Sequence, residues 1–96
     1  MGKTTIGLLS VELLVPGADS LKAKRKVIKS MKERLTARFN VSVAEVAEHD
    51  KWQRANLAVC AVSNDRHYLQ IQFQKVLHFF EHNRQLEVIN SKIDYY

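Results

Sequence analysis

The sequence has few cysteines, prolines and glycines, and it has no long apolar run. Its 96 residues include one cysteine, one proline and three glycines. A single cysteine excludes an internal disulfide and fits a reducing compartment. No apolar run approaches the roughly 20 residues that cross a bilayer, and residues 1–5 lack the plan of a secretion signal. We therefore expect one cytoplasmic domain over residues 1–96, with no linker and no membrane partner.

Acidic residues are almost absent from one long stretch, residues 20–39. Between residues 22 and 38 the chain has eight lysines and arginines and a single acid, Glu33, so this window carries a net charge of +7 (eight minus one). The whole chain carries +5, and the basicity is therefore local. A solvated helix face usually mixes charges of both signs, so this segregation favours an anionic partner.

The same stretch has the apolar period of an amphipathic helix. The apolar residues at that spacing are Leu21, Ile28, Met31 and Leu35. The opposite face is the basic ridge, which consists of Lys22, Arg25, Lys26, Lys29 and Lys32. Lys24 points toward the apolar side, where its stem can follow the core edge while its ammonium group reaches solvent. We expect Asp19 or Ser20 to cap the helix and Asn40 to end it in a left-handed conformation.

The rest of the chain predicts four strands and a second helix. Alternating apolar and β-branched residues predict strands over residues 6–15, 41–48, 52–62 and 86–95. A short polar turn joins the second and third strands, which must therefore form an antiparallel hairpin. Ser63 or Asn64 is expected to cap a helix that runs to about Asn83. The residues expected to face the core are Leu9, Val11 and Leu13 of the first strand, Ala55, Leu57, Val59 and Ala61 of the third strand, and Leu69, Phe73, Val76, Leu77 and Phe80 of this helix.

This order of elements predicts an α+β fold. Two strand-helix-strand units with right-handed crossovers give the ferredoxin-like split βαβ sandwich (βαββαβ), in which a four-stranded antiparallel sheet has two helices on one face. The first and third strands should be central. The other sheet face stays open, and its candidate interface residues are Glu12, Trp52, Arg54 and Asn56.

The open sheet face allows two interpretations. Folds of this kind can stack single-stranded RNA bases on aromatic side chains of the central strands, but here Trp52 is the one aromatic residue and Glu12 repels phosphate. We expect Glu12 instead to pair with Arg54 across neighbouring strands. A half-apolar sheet face is often covered by a second copy of the chain, so a homodimer is an alternative.

Two segments resemble a known family. They are PGADSLKAKRKVIKSMKERLTARFNVSVAEV at residues 16–46 and DKWQRANLAVCAVSND at residues 50–65, and they resemble the YlxP-like family of small uncharacterised bacterial proteins. The residues that match its motifs are Ser20, Leu21, Lys22, Lys24, Arg25, Glu45, Asp50, Trp52, Gln53 and Arg54. The chain departs from the family at Ala23, where relatives often place an acid that could complete a capping box with Ser20.

The resemblance implies a ferredoxin-like fold and brings no established activity. The family is often encoded beside translation and ribosome-maturation factors, which implies a connection with RNA or the ribosome. Together with the charge pattern, it leads us to expect a non-enzymatic RNA-binding protein whose partner is an RNA or a ribosomal particle. The residues expected to contact phosphates are Lys22, Lys24, Arg25, Lys26, Lys29 and Lys32. The alternative is a protein-interaction module or homodimer that uses the open sheet face.

Enzyme chemistry has little support in the sequence. His78 and His82 are one helical turn apart, but the HExxH pattern and a third ligand are missing. Glu45, His49, Asp50 and Arg54 offer acid and base groups near the hairpin turn, yet nothing makes them converge. We therefore expect no catalytic residue, no metal and no cofactor.

Overall fold

The computed structural model describes residues 3–96 and contains six elements in the predicted order. Met1 and Gly2, which belong to the segment considered for a secretion signal, lie outside the described residues. The elements are β1 (Thr5–Leu14), α1 (Leu21–Arg38), β2 (Ser42–Ala47), β3 (Arg54–Ser63), α2 (Arg66–Glu81) and β4 (Glu87–Tyr95). The strands form one antiparallel sheet in the order β2-β3-β1-β4. The predicted ferredoxin-like arrangement, with the first and third strands central, is confirmed.

The core lies between the sheet and both helices, which pack on the same sheet face. Alternation along β1 and β3 directs every second side chain to that face. The buried positions are Leu9, Val11 and Leu13 on β1, and Ala55, Leu57, Val59 and Ala61 on β3. The helices contribute Ile28, Met31 and Leu35 from α1, and Leu69, Phe73, Val76 and Phe80 from α2. These are the predicted faces, except that Leu21 and Leu77 are only partly buried.

Three expectations at the ends of elements need correction. Asp65, not Ser63 or Asn64, caps α2, since its carboxylate accepts hydrogen bonds from the amides of His67 and Tyr68. Asn40 does not adopt a left-handed conformation, because α1 already ends in extended backbone at residue 39. Trp52 precedes β3 and is 55% exposed. All three differences lie within one or two residues of the predicted boundaries.

No helix within residues 3–96 is both long and apolar enough to cross a membrane.

The packing of α2 on β1 requires the absence of a side chain at Gly7. A Cβ atom added there would lie 2.5 Å from Cε2 of Phe73 and 2.9 Å from its Cζ. Phe73 is fully buried, so the ring is enclosed by the core and cannot turn out into solvent. The close approach of helix to sheet therefore depends on a glycine at this position.

We predict that Gly7→Ala lowers the free energy of unfolding by about 1–3 kcal/mol, because it overpacks the contact with Phe73. Gly17→Ala is the matched control, since an added Cβ there meets no atom within 4 Å; its effect should stay within about 1 kcal/mol. Urea unfolding measures both. Equal stability of the two variants would contradict the close packing.

Candidate nucleic-acid interface

The basic ridge begins at a well-formed helix start. Ser20 is in an extended conformation, and its hydroxyl accepts a hydrogen bond from the amide of Ala23 at 3.0 Å. This confirms Ser20 as one of the two predicted caps. The first turn contains no acid, so the cap and the core contacts of α1 must outweigh the unfavourable placement of lysines near the positive end of the helix dipole.

The ridge side chains point to solvent on the face of α1 away from the core. Lys22, Arg25, Lys26 and Lys29 are exposed, and Lys32 is partly exposed. Within residues 3–96, no carboxylate lies close enough to pair with any of them. Neighbours at i,i+3 and i,i+4 carry the same charge and repel each other. The structure thus presents five cations on one face of α1 without an ion pair in the part of the chain that it describes, and the acids Glu33 and Glu45 line a cavity together with Arg25, Lys29 and Lys32.

Lys24 does not belong to this surface, and the expectation that its ammonium group reaches solvent is wrong. Its side chain is fully buried. The Nζ atom lies 3.0 Å from the Glu45 carboxylate and donates to the carbonyls of Glu48 at 2.7 Å, Arg54 at 3.0 Å and His49 at 3.4 Å. An ammonium group enclosed in this way cannot contact a phosphate in this conformation.

The hairpin of β2 and β3 explains why Lys24 is enclosed. Glu45 lies on the inner face of β2, in register with the buried Leu57 of β3, so its carboxylate faces α1. The β2–β3 turn then covers the ammonium group. Glu48 in this turn has φ of 63° and is the one non-glycine residue with positive φ in residues 3–96. Because this acid faces inward, apolar and polar residues do not alternate regularly in the sequence of β2.

Four of the family-motif residues lie close together, namely Lys24, Glu45, Gln53 and Arg54. The side-chain amide of Gln53 donates to the backbone carbonyls of Pro16 at 3.3 Å and Ala18 at 3.2 Å. The backbone carbonyl of Gln53 accepts from the backbone amide of Val15 at 2.9 Å. This ties the β1–α1 loop to the start of β3, beside the site of Lys24. The sequence placed Gln53 in the motif but gave no partner for it, since the partners are backbone atoms about 35 residues away.

Two of the acid and base groups near the hairpin turn, Glu45 and Arg54, point to opposite faces of the sheet. Glu45 faces the helices, whereas Arg54 lies on the outer sheet face and pairs with Glu12 at 3.4 Å. His49 Nε2 is 3.0 Å from the backbone carbonyl of residue 45. The rings of His78 and His82 are 3.9 Å apart, but residues 3–96 contain no group of three or more side chains suited to hold a metal ion.

The open sheet face contains the predicted pair and several exposed apolar residues. The Glu12–Arg54 pair is confirmed. It is a diagonal pair across neighbouring strands, because Glu12 lies opposite Asn56 and Arg54 lies opposite Leu14, two residues further along β1. Oδ1 of Asn56 is shielded from solvent and accepts no hydrogen bond within the described chain. The exposed apolar side chains on this face include Val46 and Val62, which are 57% and 61% exposed.

Comparison with known proteins gives two matches over nearly the whole chain. The family model described as "Protein of unknown function (DUF503)" matches residues 6–93. The "Uncharacterized protein YlxP" of Bacillus subtilis (strain 168) is 33% identical over 91 residues, which cover 95% of this chain and 99% of that protein.

We predict that Lys24→Met destabilises the protein by about 3–5 kcal/mol, the usual loss when one partner of a buried ion pair is removed. Methionine keeps an unbranched apolar stem, so the loss reports on the ammonium group. Lys92→Met is the matched control, because its pair with Asp94 is 3.7 Å long and the Lys92 side chain is 74% exposed; it should change stability by less than about 1 kcal/mol. Urea unfolding separates the two, and a Lys24→Met protein as stable as the control would refute this role.

Proposed function

This chain belongs to the YlxP-like (DUF503) family of proteins of unknown function, and we propose that it is a non-enzymatic RNA-binding protein that contacts phosphates through the basic ridge. One observation carries the proposal: the five ridge cations are exposed or partly exposed and have no acidic partner among residues 3–96. Phosphate is the anion that such a row suits, since cations gain binding free energy when they release its counterions.

The length of the ridge limits how many phosphates it can contact. Residues 22–32 rise about 15 Å along the helix axis, at 1.5 Å per residue. In B-form DNA each strand has one phosphate per about 3.4 Å of helix axis, and the spacing along the strand itself is longer. The ridge therefore contacts at most about four phosphates. Contacts of this kind position an RNA without reading its sequence, so specificity would have to come from RNA shape or from another surface.

The proposed partner is an RNA of the ribosome or a ribosomal particle in the cytoplasm. The gene neighbourhood implied by the family resemblance supports this choice, and so does the local nature of the charge. Membrane attachment through α1 has no support, because the apolar face of the helix is occupied by the core residues Ile28, Met31 and Leu35.

A second candidate function is a homodimer that uses the open sheet face. The observation that favours it is the exposure of Val46 and Val62 on a face that neither helix covers, together with the unpartnered Oδ1 of Asn56. A second copy could bury the apolar side chains and donate a hydrogen bond to the amide oxygen. In that case the ridge would serve solubility and no nucleic acid would be involved.

We predict that reversing four ridge charges, with Lys22, Arg25, Lys29 and Lys32 changed to Glu, weakens RNA binding by at least about 100-fold while the fold is retained. Wild-type affinity should fall with salt, with a log–log slope no steeper than about −2.8 to −3.6, from at most four phosphates at −0.7 to −0.9 each. Fluorescence anisotropy with labelled ribosomal RNA fragments measures both quantities, and circular dichroism checks the fold.

A control variant with the same net charge changes four exposed cations outside α1, namely Lys3, Lys51, Arg66 and Lys92, to Glu. It should lose much less affinity than the ridge variant. If the ridge variant binds RNA and co-sediments with ribosomal particles as well as the wild type, the proposed function is refuted. If both variants lose affinity equally, net charge and not the ridge determines binding.

For the second candidate, light scattering should give the mass of two chains for the wild type and of one chain for Val62→Glu or Trp52→Ala. A charged residue at position 62 cannot be buried in a dimer without a partner. Tyr68→Glu, at a 50% exposed position on α2, should leave the mass unchanged. A wild-type protein that is monomeric at high concentration excludes the homodimer.

A further inference from the structure

Two cavities lie along α1, with volumes of about 740 Å³ and about 690 Å³. The larger lies between Arg34 and Arg38 of α1 and the second half of α2. The smaller lies between Lys26 and Ser30 of α1, the loop that precedes α1 and the segment after α2, and no residue of α2 lines it. Ser30 and Arg34 are about one helical turn apart on α1, so the two cavities follow one another along it. We call the two cavities together the interhelical cleft.

The walls of the interhelical cleft are basic and contain no acid. Five lysines and arginines line the two cavities: Lys26, Arg34, Arg38, Lys75 and Arg84. Two histidines, His78 and His82, line the larger one, and no aspartate or glutamate lines either. Within residues 3–96, none of the five cations pairs with a carboxylate. The cleft therefore favours an anionic occupant by charge.

The floor of the larger cavity is aromatic. Phe39 and Phe79 contact each other edge to face, with ring centroids 6.4 Å apart and an interplanar angle of 83°. The guanidinium carbon of Arg34 lies 5.0 Å from the Phe79 centroid and that of Arg38 lies 5.2 Å from it. Both arginines are exposed. Their planar groups thus place positive charge and flat stacking surface beside a half-buried ring.

A nucleotide combines the two properties that this cleft complements. Its base is a planar group that stacks on aromatic side chains and on guanidinium planes, and its phosphate is an anion suited to the cationic walls. The larger cavity has a volume within the roughly 300–1,000 Å³ range of pockets that hold small ligands. An acidic peptide would satisfy the charge but would bring no planar group for the floor. A base paired inside a duplex could not reach the ring.

We propose that the interhelical cleft binds unpaired nucleotides of the RNA, with a base stacked on the guanidinium planes of Arg34 and Arg38, which the Phe79 ring supports from below, and with the phosphates on the other cations of the walls. This inference rests on the proposed RNA-binding function and extends it. The ridge has no aromatic side chain, so it contacts phosphates of single-stranded and double-stranded RNA alike. The cleft adds a preference for single strands, and Lys26 belongs to both surfaces.

The test measures the affinity of the protein for a short labelled single-stranded RNA and for the duplex of the same sequence by fluorescence anisotropy. The wild type should bind the single strand more tightly. Phe79→Leu, which keeps an apolar side chain but removes the ring, should weaken single-strand binding by about 5- to 100-fold, the factor that corresponds to stacking one base. Duplex binding should not change. Tyr68→Leu removes an exposed aromatic ring elsewhere on α2 and should change neither affinity.

A second pair of variants keeps the test decisive if Phe79→Leu does not fold. The Arg34→Gln/Arg38→Gln protein should lose single-strand affinity preferentially, whereas Arg66→Gln/Lys92→Gln, with the same charge change outside the cleft, should not. Equal losses on both RNAs, or no loss, overturn the cleft proposal. Binding of polyglutamate that competes with RNA and falls in the Arg34→Gln/Arg38→Gln protein would assign the cleft to acidic peptides and would also overturn it.

The two proposals can fail separately. If the ridge variant loses RNA binding while the cleft variants bind both RNAs like the wild type, the proposed function stands and the cleft proposal is wrong. If the wild type binds neither RNA, the proposed function fails and the cleft proposal fails with it.

Discussion

The ammonium group of Lys24 is buried between α1 and the β2–β3 hairpin, where removing a charge from water costs several kcal/mol unless it is compensated. Compensation comes from the carboxylate of Glu45 and three backbone carbonyls of the hairpin. Because every acceptor lies on the hairpin, this one side chain fixes how the first helix sits on the edge of the sheet. Gln53 adds a second connection nearby, from the start of β3 to the β1–α1 loop.

This arrangement divides the lysines and arginines of α1 into three environments. Lys24 is neutralised inside the protein by Glu45. The basic ridge faces solvent without ion-paired acids. Its neighbouring cations repel each other, so an anion bound beside them would reduce this repulsion. Arg34 and Arg38 lie on the flank toward α2, where Phe79 orients their guanidinium groups. One basic stretch of sequence thus provides a structural contact, a solvent-exposed row of cations and one wall of a cleft.

The two faces of the sheet have different roles in the fold. The inner face is filled by the helices, closely enough that Gly7 has no space for a Cβ beside Phe73. The outer face is held by weak surface contacts such as the Glu12–Arg54 pair, which is long and largely exposed. The fully buried core therefore lies on the helix side of the sheet, and the Glu12–Arg54 pair adds little to stability.

The sequence by itself determined the order of the elements, the core faces of β1, α1 and α2, and the exposed ridge, because these follow from apolar periodicity. It also determined the sheet topology, because the connections between elements are short and the crossovers are right-handed. It could not determine where the ammonium group of Lys24 goes, since its acceptors are 21 to 30 residues away and mostly backbone atoms. Nor could it bring Phe79 to Arg34, which lies on another helix. Local patterns fix elements, whereas contacts between elements depend on how the sheet places them, and those contacts decide which charges remain free to bind.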